Sequence, residues 1–223
     1  MGKNKLKRFA ENETFENLFQ HTHFDARTKP FPLKGNWHGT YFKNNNPIVI
    51  ELGCGRGEYT VGMAQRFPEK NFIGIDRKGA RIWRGCKDAM ELNLKNTAFL
   101  RIKIEDIEYY FAHNEVHEIW ITFPDPQLRK ERNRLISPNF ISKYNKIIDA
   151  TGLIHLKTDS RELYEYVMKT APIEKWNVVN NNDNIYISSI LPVLTDIQTF
   201  YETKWLKEGK IISYICLQPG LFF

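Results

Sequence analysis

Residues 48–57 read Ile-Val-Ile-Glu-Leu-Gly-Cys-Gly-Arg-Gly, and this stretch decides the fold. Its first residues are apolar and β-branched, which is typical of a buried strand. Three glycines follow, and glycine lets the backbone take conformations that bring it close to a ligand. A stretch with helical character then runs from about Glu58 to Phe67, where Pro68 ends it. The sequence therefore predicts a strand, a ligand-binding loop and a helix in immediate succession.

The same alternation of strand and helix continues downstream. Short apolar runs predict strands, and helix start signals lie between them, such as Ser137-Pro138 and either Asp159 or Ser160 as a cap. The predicted strands cover residues 48–52, 71–75, 99–104, 118–123 and 153–156, and predicted helices cover residues 58–67, 79–92 and 107–113. Five strand–helix units indicate an α/β fold with a mostly parallel, doubly wound, Rossmann-like sheet.

The two ends of the chain differ in pattern from this central part. Residues 1–46 form a basic N-terminal extension in which His, Pro and Gly residues interrupt any long helix. Residues 176–179, 185–190 and 211–217 predict strands, and Thr195-Asp196 opens a helix that Gly209 closes. No composition shift divides residues 47–223, so we expect a single domain whose C-terminal strand is antiparallel.

Composition limits the setting and the partners. The net charge of +6 suits a polyanion such as RNA, although many ordinary enzymes share this bias. Cys54, Cys86 and Cys216 are far apart, and His21 and His23 lack cysteine or acidic partners at ligand spacing. Neither a disulfide framework nor a metal site is therefore predicted. The unpaired cysteines indicate a reducing, cytoplasmic setting. With no signal peptide and no apolar run long enough to span a bilayer, we expect no membrane partner. We expect a monomer or a homodimer.

The charge around the glycine loop decides which ligand it suits. Glycines at this point of the fold are also compatible with a dinucleotide site, but Glu58 stands where that motif needs its third glycine. Glu51 would repel a pyrophosphate and attract a ligand with an ammonium and a sulfonium group, as in S-adenosylmethionine. The candidate cofactor-binding residues of this loop are therefore Glu51, Gly53, Gly55 and Gly57.

Two further strands end in acids. Asp76 follows the second strand, where a carboxylate can accept both hydroxyls of a ribose or, alternatively, cap the next helix. Glu105 and Asp106 follow the third strand, where an adenine amino group could be bound, and we favour Asp106 for that contact. Because parallel strands end at one edge of a sheet, these acids and the glycine loop together predict the pocket of a class I methyltransferase.

The fourth strand runs into the turn Phe123-Pro-Asp-Pro-Gln127. The two prolines stiffen the turn around Asp125. Asp125 either shapes this turn, as Asp before Pro commonly does, or provides a fixed carboxylate beside a transferable methyl group. In the second interpretation Asp125 is the candidate catalytic residue and also contacts the cofactor.

Several stretches, in this order, resemble the bacterial tRNA (guanine-N7-)-methyltransferases. The matching stretches are residues 51–57 (ELGCGRG), 74–76 (GID), 123–126 (FPDP), 156–159 (LKTD) and 199–202 (TFYE). The resemblance implies methyl transfer from S-adenosylmethionine to N7 of guanine 46 in the variable loop of tRNA. It also implies cofactor contacts from Glu51, Asp76, Asp106 and Asp125, and tRNA contacts from Arg129, Asp159, Thr199, Phe200, Tyr201 and Glu202.

The chain departs from the family pattern at two positions. Gln127 stands where the family has Trp, and Arg129 stands where Lys is common. Lys130, Arg132 and Arg134 keep this segment basic, so it is predicted to hold RNA phosphates. The N-terminal cations Lys3, Lys5, Lys7 and Arg8 are either further phosphate contacts or an ordinary solvated face.

The implied reaction needs no general base, because guanine N7 carries a lone pair and no proton. Positioning then supplies much of the rate, and Asp125 would stabilise the positive charge that the base gains. Two other interpretations are compatible with the residues alone. They are a methyltransferase for a small molecule or a protein, and a non-catalytic RNA-binding subunit with the same fold.

Overall fold

The computed structural model describes residues 3–188 and 191–220, and it is organised around one eight-stranded sheet. The strands are β1 (Leu18–Gln20), β2 (Ile48–Leu52), β3 (Asn71–Ile75), β4 (Thr97–Arg101), β5 (Val116–Thr122), β6 (Ile148–Thr158), β7 (Asn177–Asn182) and β8 (Ser213–Gln218). Their order across the sheet is β1-β4-β3-β2-β5-β6-β8-β7. Only the pairs that β8 makes with β6 and β7 are antiparallel among the described strands, so the predicted mixed sheet is confirmed.

The helices flank this sheet. The α-helices are α1 (Lys3–Asn12), α2 (His23–Thr28), α3 (Glu58–Arg66), α4 (Gly79–Glu91), α5 (Pro138–Tyr144), α6 (Arg161–Ile173), α7 (Val193–Asp196) and α8 (Phe200–Lys207). A π-helical turn covers Trp37–Phe42, and 3-10 turns cover Ile104–Tyr109 and Glu131–Asn133. Over the described residues, none of these helices is both long enough and apolar enough to cross a membrane.

The sheet is covered on both faces, and β2 shows how. Every residue of β2 is buried, as in strands that lie between two layers of helices. Ile48, Ile50 and Leu52 pack in one apolar cluster, whereas Val49 packs in another with Tyr59 of α3. This alternation follows from the two-residue period of a strand. Glu51 lies on the same side of β2 as Val49, towards α3.

Element bounds in the central part agree closely with the sequence. Strands β2 and β3 occupy the predicted residues, and Ser160 caps α6 by accepting from the Leu163 backbone N–H at 3.2 Å. Ser137 precedes α5, with Pro138 in the first turn. The helix predicted over residues 107–113 is wrong, because the chain forms a 3-10 turn over Ile104–Tyr109 instead. Its short turn keeps the acids 105 and 106 near the end of β4.

The C-terminal part needs larger corrections. The predicted strand 185–190 is absent over residues 185–188, which form a turn instead. In this turn Asn184 Oδ1 accepts from the Tyr186 backbone N–H at 3.2 Å. Residues 189 and 190 lie outside the described ranges. The single helix predicted over residues 195–209 is divided into α7 and α8. Ile197 and Thr199 are extended, and Thr199 caps the second helix by accepting from the Glu202 backbone N–H at 3.1 Å.

The sequence leaves the path of the first 46 residues open, and the structure shows where they lie. Strand β1 pairs in parallel with β4 at one edge of the sheet. In α1, the Asn12 amide donates to the Gly79 carbonyl of α4 at 3.0 Å. Trp37 is fully buried and stacks on Phe111 with ring centroids 5.8 Å apart. This segment therefore contributes a strand, a helix and a large aromatic side chain to the same core.

Candidate active site

Glu51, Gly53, Asp76 and Asp125 lie together where the sheet changes its winding direction. The chain proceeds outwards from β2 to β3 and β4, and then returns to place β5 on the other side of β2. Ligands of open α/β sheets bind in the crevice at such a point, beyond the carboxyl ends of the strands. Two cavities of about 360 and 820 Å³ open here, and Gly53 lines both of them. Asp76 and Asp125 line the smaller cavity, and Glu51 lines the larger.

The glycine loop forms the floor between these cavities. The backbone N–H groups of Gly53 and Cys54 donate to the Ile75 carbonyl at 2.8 and 3.0 Å, which fixes the loop against the end of β3. Gly53 has a φ of 75°, and a Cβ atom built on it would meet nothing within 4 Å. Gly55 is nearly as open, with only the Gly53 carbonyl at 3.9 Å. The two glycines thus leave a cradle that a ligand can approach at van der Waals distance.

Gly57 has a different role from the other two glycines. A Cβ atom on Gly57 would lie 2.8 Å from the Cα of Gly85 and 2.9 Å from the Phe99 ring. Its small size therefore allows α3 to begin directly against α4. We assign Gly57 to helix packing, which supports the loop but offers no surface to a ligand.

Glu51 is a buried carboxylate held by three donors. Its Oε2 accepts from the Thr60 backbone N–H at 2.9 Å and the Thr60 hydroxyl at 2.5 Å, and its Oε1 accepts from the Thr122 hydroxyl at 2.6 Å. Burial raises the pKa of Glu51 to about 7, although the hydrogen bonds from Thr122 and Thr60 oppose this shift. A cationic group in the adjacent cavity would favour the charged form.

Asp76 is also fixed by backbone donors. Its Oδ2 accepts from the Gly55 N–H at 3.0 Å and its Oδ1 from the Lys78 N–H at 2.7 Å. Asp76 does not cap α4, because the N-cap is Lys78 and no side chain caps that helix. The carboxylate shapes the turn before α4 and lines the smaller cavity, where a ribose contact stays a prediction. Carboxylate oxygens have further acceptor capacity for the hydroxyls of a ribose.

The two acids after β4 differ in their surroundings. Glu105 lines the smaller cavity. Asp106 is buried, and its Oδ2 lies 2.6 Å from His23 Nδ1. The predicted adenine contact of Asp106 would therefore have to share this carboxylate with an imidazole of α2. His23 itself, which the sequence leaves without a partner, lies next to an acid that is 83 residues away.

Asp125 lies in a turn with unusual backbone geometry. Its side chain is exposed at the cavity, and Oδ1 accepts from the Gln127 N–H at 3.0 Å. Phe123 and Gln127 have positive φ values of 49° and 47°, which are unusual for residues with a Cβ atom. Such strain concentrates at functional sites. Gln127, in place of the family Trp, lines the same cavity.

The cations of the basic segment after this turn differ in their exposure to solvent. Arg129, Lys130 and Arg132 are exposed, as phosphate contacts require. Arg134 is buried, and the prediction that it holds RNA is wrong for this conformation. Its Nε donates to the Pro126 carbonyl at 2.9 Å, so it supports the turn from behind.

Three of the predicted tRNA contacts from the second half of the chain, Thr199, Phe200 and Tyr201, lie at the larger cavity or beside it. Thr199 and Tyr201 line this cavity, and Phe200 is half exposed beside it, with the Arg56 guanidinium 4.4 Å from its ring centroid. Asp159 lies elsewhere, where its Oδ2 accepts from Lys210 Nζ at 2.7 Å.

Glu202, the last of the predicted tRNA contacts, is fully buried. It forms an ion pair of 2.7 Å with Lys157 of β6, which is also fully buried. Lys157 Nζ also donates to the carbonyls of Leu194 at 2.5 Å and Ile197 at 3.4 Å. Burial lowers the pKa of Lys157, and the charge of Glu202 opposes that shift. The Glu202 side chain is therefore not accessible to RNA in this structure.

Sequence reasoning missed Lys157 and the two threonines that hold Glu51. Lys157 follows directly on the predicted strand 153–156, and a lysine at the end of a buried strand is a signal, because a buried charge needs a partner. Thr60 and Thr122 offer no such signal, since their importance depends on where Glu51 points. Among the described residues, no cluster of three or more His, Cys, Asp or Glu side chains is arranged to hold a metal ion.

The same fold occurs in solved methyltransferases of low sequence identity. The 16S rRNA methyltransferase KamB superposes with a TM-score of 0.64 at 12% identity, covering 82% of this chain and 92% of KamB. An antibiotic-related methyltransferase gives a TM-score of 0.60 at 19% identity, covering 85% and 96% of the two chains. The fold of this chain is therefore that of the class I methyltransferases.

Sequence comparisons identify the family within this class. Residues 45–214 match a family described as "Putative methyltransferase". A tRNA (guanine-N(7)-)-methyltransferase of Christiangramia forsetii is 50% identical over 96% of this chain and 96% of its own length. One from Porphyromonas gingivalis is 48% identical over 93% and 86%. The chain belongs to the tRNA (guanine-N(7)-)-methyltransferase family.

Proposed function

We propose that this protein transfers a methyl group from S-adenosylmethionine to N7 of a guanine in tRNA, at position 46 of the variable loop. The observation that carries the proposal is the cavity at the change of winding, where Gly53, Asp76 and Asp125 meet next to the buried Glu51. The names of the relatives, at 50% and 48% identity over nearly the whole chain, supply the substrate class. A tRNA substrate also favours the predicted cytoplasmic setting.

The residues present fit S-adenosylmethionine. The open faces of Gly53 and Gly55 accommodate close approach of the ligand. Glu51 would attract its ammonium group, and Asp76 would accept from its ribose hydroxyls. Asp106 remains the proposed partner of the adenine amino group, and Glu105 is the alternative because it already lines the cavity. When bound, S-adenosylmethionine supplies a methyl group on a positively charged sulfur.

Asp125 is the residue proposed to act on the reacting base. Its carboxylate is exposed at the cavity and held by a rigid, strained turn. A fixed anion there stabilises the positive charge that develops on the guanine ring as N7 is methylated. The same carboxylate can accept from the N1–H and the exocyclic amine of guanine, and so orient the ring. No proton has to be removed from N7, so the protein contributes positioning and charge.

The test is methyl transfer by the Asp125→Asn variant, which keeps the shape of the side chain and removes its charge. We expect transfer to an unmodified tRNA transcript to fall by about 100-fold or more, the effect typical of losing one preorganised electrostatic group. Labelled methyl groups measure the rate, and mass spectrometry of the nucleosides identifies 7-methylguanosine.

The matched control is Asp183→Asn, which removes an exposed carboxylate next to the outermost strand, β7. This variant should retain wild-type activity. A wild-type protein that methylates no guanine in tRNA would overturn the proposed function. Full activity of Asp125→Asn would instead remove Asp125 from the mechanism and leave the function standing.

A further inference from the structure

The larger cavity is lined by arginines that rest on aromatic rings. Arg8 of α1 lies over Trp83, with its guanidinium carbon 4.7 Å from the ring centroid. Arg81 of α4 lies over Tyr201 at 5.9 Å and also donates to its hydroxyl at 3.3 Å. Arg56, from the glycine loop, lies over the ring of Phe200, which is just outside the lining. We name this cavity of about 820 Å³ the arginine–aromatic cleft.

The three guanidinium groups are held in place but not neutralised. None of the three forms an ion pair with a carboxylate among the described residues, and all three are exposed. By contrast, their neighbour Arg84 is paired with Asp88 at 2.7 Å. A guanidinium that stacks on a ring uses its face, so most of the N–H donors along its edge stay available.

This geometry suits phosphodiester groups. Arg donors form bidentate hydrogen bonds with phosphate oxygens, and a side chain already ordered by a ring loses less freedom on binding. Tyr201 and Phe200 are half exposed, so their rings also offer surfaces on which unpaired bases can stack. Cations and rings in one cleft are the combination that binds an exposed RNA strand.

The position of the cleft relates it to the reaction. Its lining includes Glu51, Gly53 and Thr122, at the ends of β2 and β5, together with Phe123 of the strained turn. Asp125 follows two residues later and lines the neighbouring cavity. Gly55 lines the cleft as well, so the cleft adjoins the proposed cofactor site, and an RNA strand held by its arginines would pass close to the cavity of Asp125.

We infer that the arginine–aromatic cleft binds phosphates of the RNA strand that carries the target guanine, through Arg8, Arg56 and Arg81. This inference rests on the proposed function and assigns a contact surface for the RNA in addition to the exposed basic segment at Arg129. The three arginines act in binding and not in the chemical step.

The salt dependence of tRNA affinity tests this inference. Removing one cation that neutralises a phosphate reduces the slope of log affinity against log salt concentration by about 0.7 to 0.9. We expect a decrease of this size for Arg56→Ala and for Arg81→Ala, measured with an unmodified tRNA transcript and S-adenosylhomocysteine.

The matched control is Lys169→Ala, which removes an exposed cation of α6, on the opposite face of the sheet from α3 and α4. Its slope should equal that of the wild type. Wild-type slopes for both Arg56→Ala and Arg81→Ala would overturn the inference. Weaker binding of S-adenosylhomocysteine with an unchanged slope would place Arg56 in the cofactor site and would overturn its assignment to RNA.

The same experiment separates this inference from the proposed function. If the wild type produces 7-methylguanosine but the slopes of the variants are unchanged, the cleft assignment fails and the proposed function stands. If the wild type binds tRNA with the expected slopes but forms no 7-methylguanosine, the proposed function fails and the cleft remains an RNA-binding surface. Both arginines are exposed, so their replacement should leave folding intact, which circular dichroism verifies.

Discussion

At the residue scale, Glu51 combines burial with a position next to a proposed cationic ligand. Its pKa is raised to about 7 because burial penalises the charged carboxylate. Without ligand, the protein therefore carries a proton on Glu51 over part of the pH range in which other carboxylates are ionised. Binding of an ammonium group would release that proton, since the cation favours the charged form.

The raised pKa of Glu51 predicts a change of stability with pH. A group that binds its proton more tightly in the folded chain contributes stability that is complete below its unfolded pKa and is lost as pH rises through its folded pKa. For Glu51 this window lies between 4.5 and about 7. The difference between these two pKa values corresponds to roughly 3 kcal/mol in the free energy of unfolding.

The Glu51→Gln variant is neutral at every pH and should lack this loss. We expect its free energy of unfolding to rise relative to that of the wild type between about pH 5 and pH 8. Urea unfolding of both proteins over this range, without ligand, measures the difference. Two curves that stay parallel across the range would contradict the prediction.

The glycine loop shows how far residues can be interpreted without a structure. The order of residue types in residues 51–57 predicts where the strand ends, the open loop and where the helix begins. Each of these three features is determined by residues that are close together in the sequence. Separate roles for Gly53 and Gly57 were not predictable. They depend on Gly85 and Phe99, which approach Gly57 only in the folded chain.

At the scale of elements, the Lys157–Glu202 pair joins β6 to α8. The Lys157 carbonyl accepts from the Phe123 N–H at 2.8 Å, while its ammonium group binds Glu202 and the Leu194 carbonyl. One residue thus connects the turn of Asp125 with the helix that begins at the predicted tRNA contacts. Lys157 belongs to the motif at residues 156–159 and Glu202 to the motif at 199–202, and the two are 45 residues apart in the sequence. The fold of the sheet brings them into contact.

We predict that Lys157→Met lowers the free energy of unfolding by about 3 to 5 kcal/mol, because it leaves a buried carboxylate without its cation. The double variant Lys157→Met with Glu202→Gln should recover part of this loss, since no uncompensated charge remains. Denaturant titrations of the single and double variants measure both effects.

The control for this prediction is Lys210→Met, which breaks the partly exposed pair with Asp159. Pairs of this kind contribute about 1 kcal/mol or less. Equal losses in Lys157→Met and Lys210→Met would show that the buried pair holds the two elements no more firmly than a surface pair does.

The bounds of a helix or strand are predicted accurately where nearby residues in the sequence determine them. Strands β2 and β3 match the sequence prediction because each is a short, mostly apolar segment followed directly by a turn-forming residue, Gly53 after β2 and Asp76 after β3. The single helix predicted over residues 195–209 is wrong because Thr199 caps a new helix, α8. The apolar periodicity continues across Thr199, so the sequence pattern does not show that one helix ends and another begins there.

At the scale of the whole molecule, the N-terminal segment is packed into the fold at several points. The sequence separates residues 1–46 from the domain because their prolines, glycines and histidines lack periodicity. Strand β1 is only three residues long and shows no alternation, so its pairing with β4 was not predictable. Trp37 donates from Nε1 to the Tyr110 carbonyl at 3.0 Å, a bond to a residue 73 positions away.

This packing predicts that residues 1–46 unfold together with the rest of the chain. Trp37→Ala should lower the free energy of unfolding by about 3 to 5 kcal/mol, the usual cost of truncating a buried Trp. The transition should remain single, with far-ultraviolet circular dichroism and tryptophan fluorescence giving the same midpoint. Phe24→Ala, in the same segment but 71% exposed, is the matched control and should leave the midpoint nearly unchanged. Two separate transitions in Trp37→Ala would show instead that residues 1–46 are an extension that folds independently of the sheet.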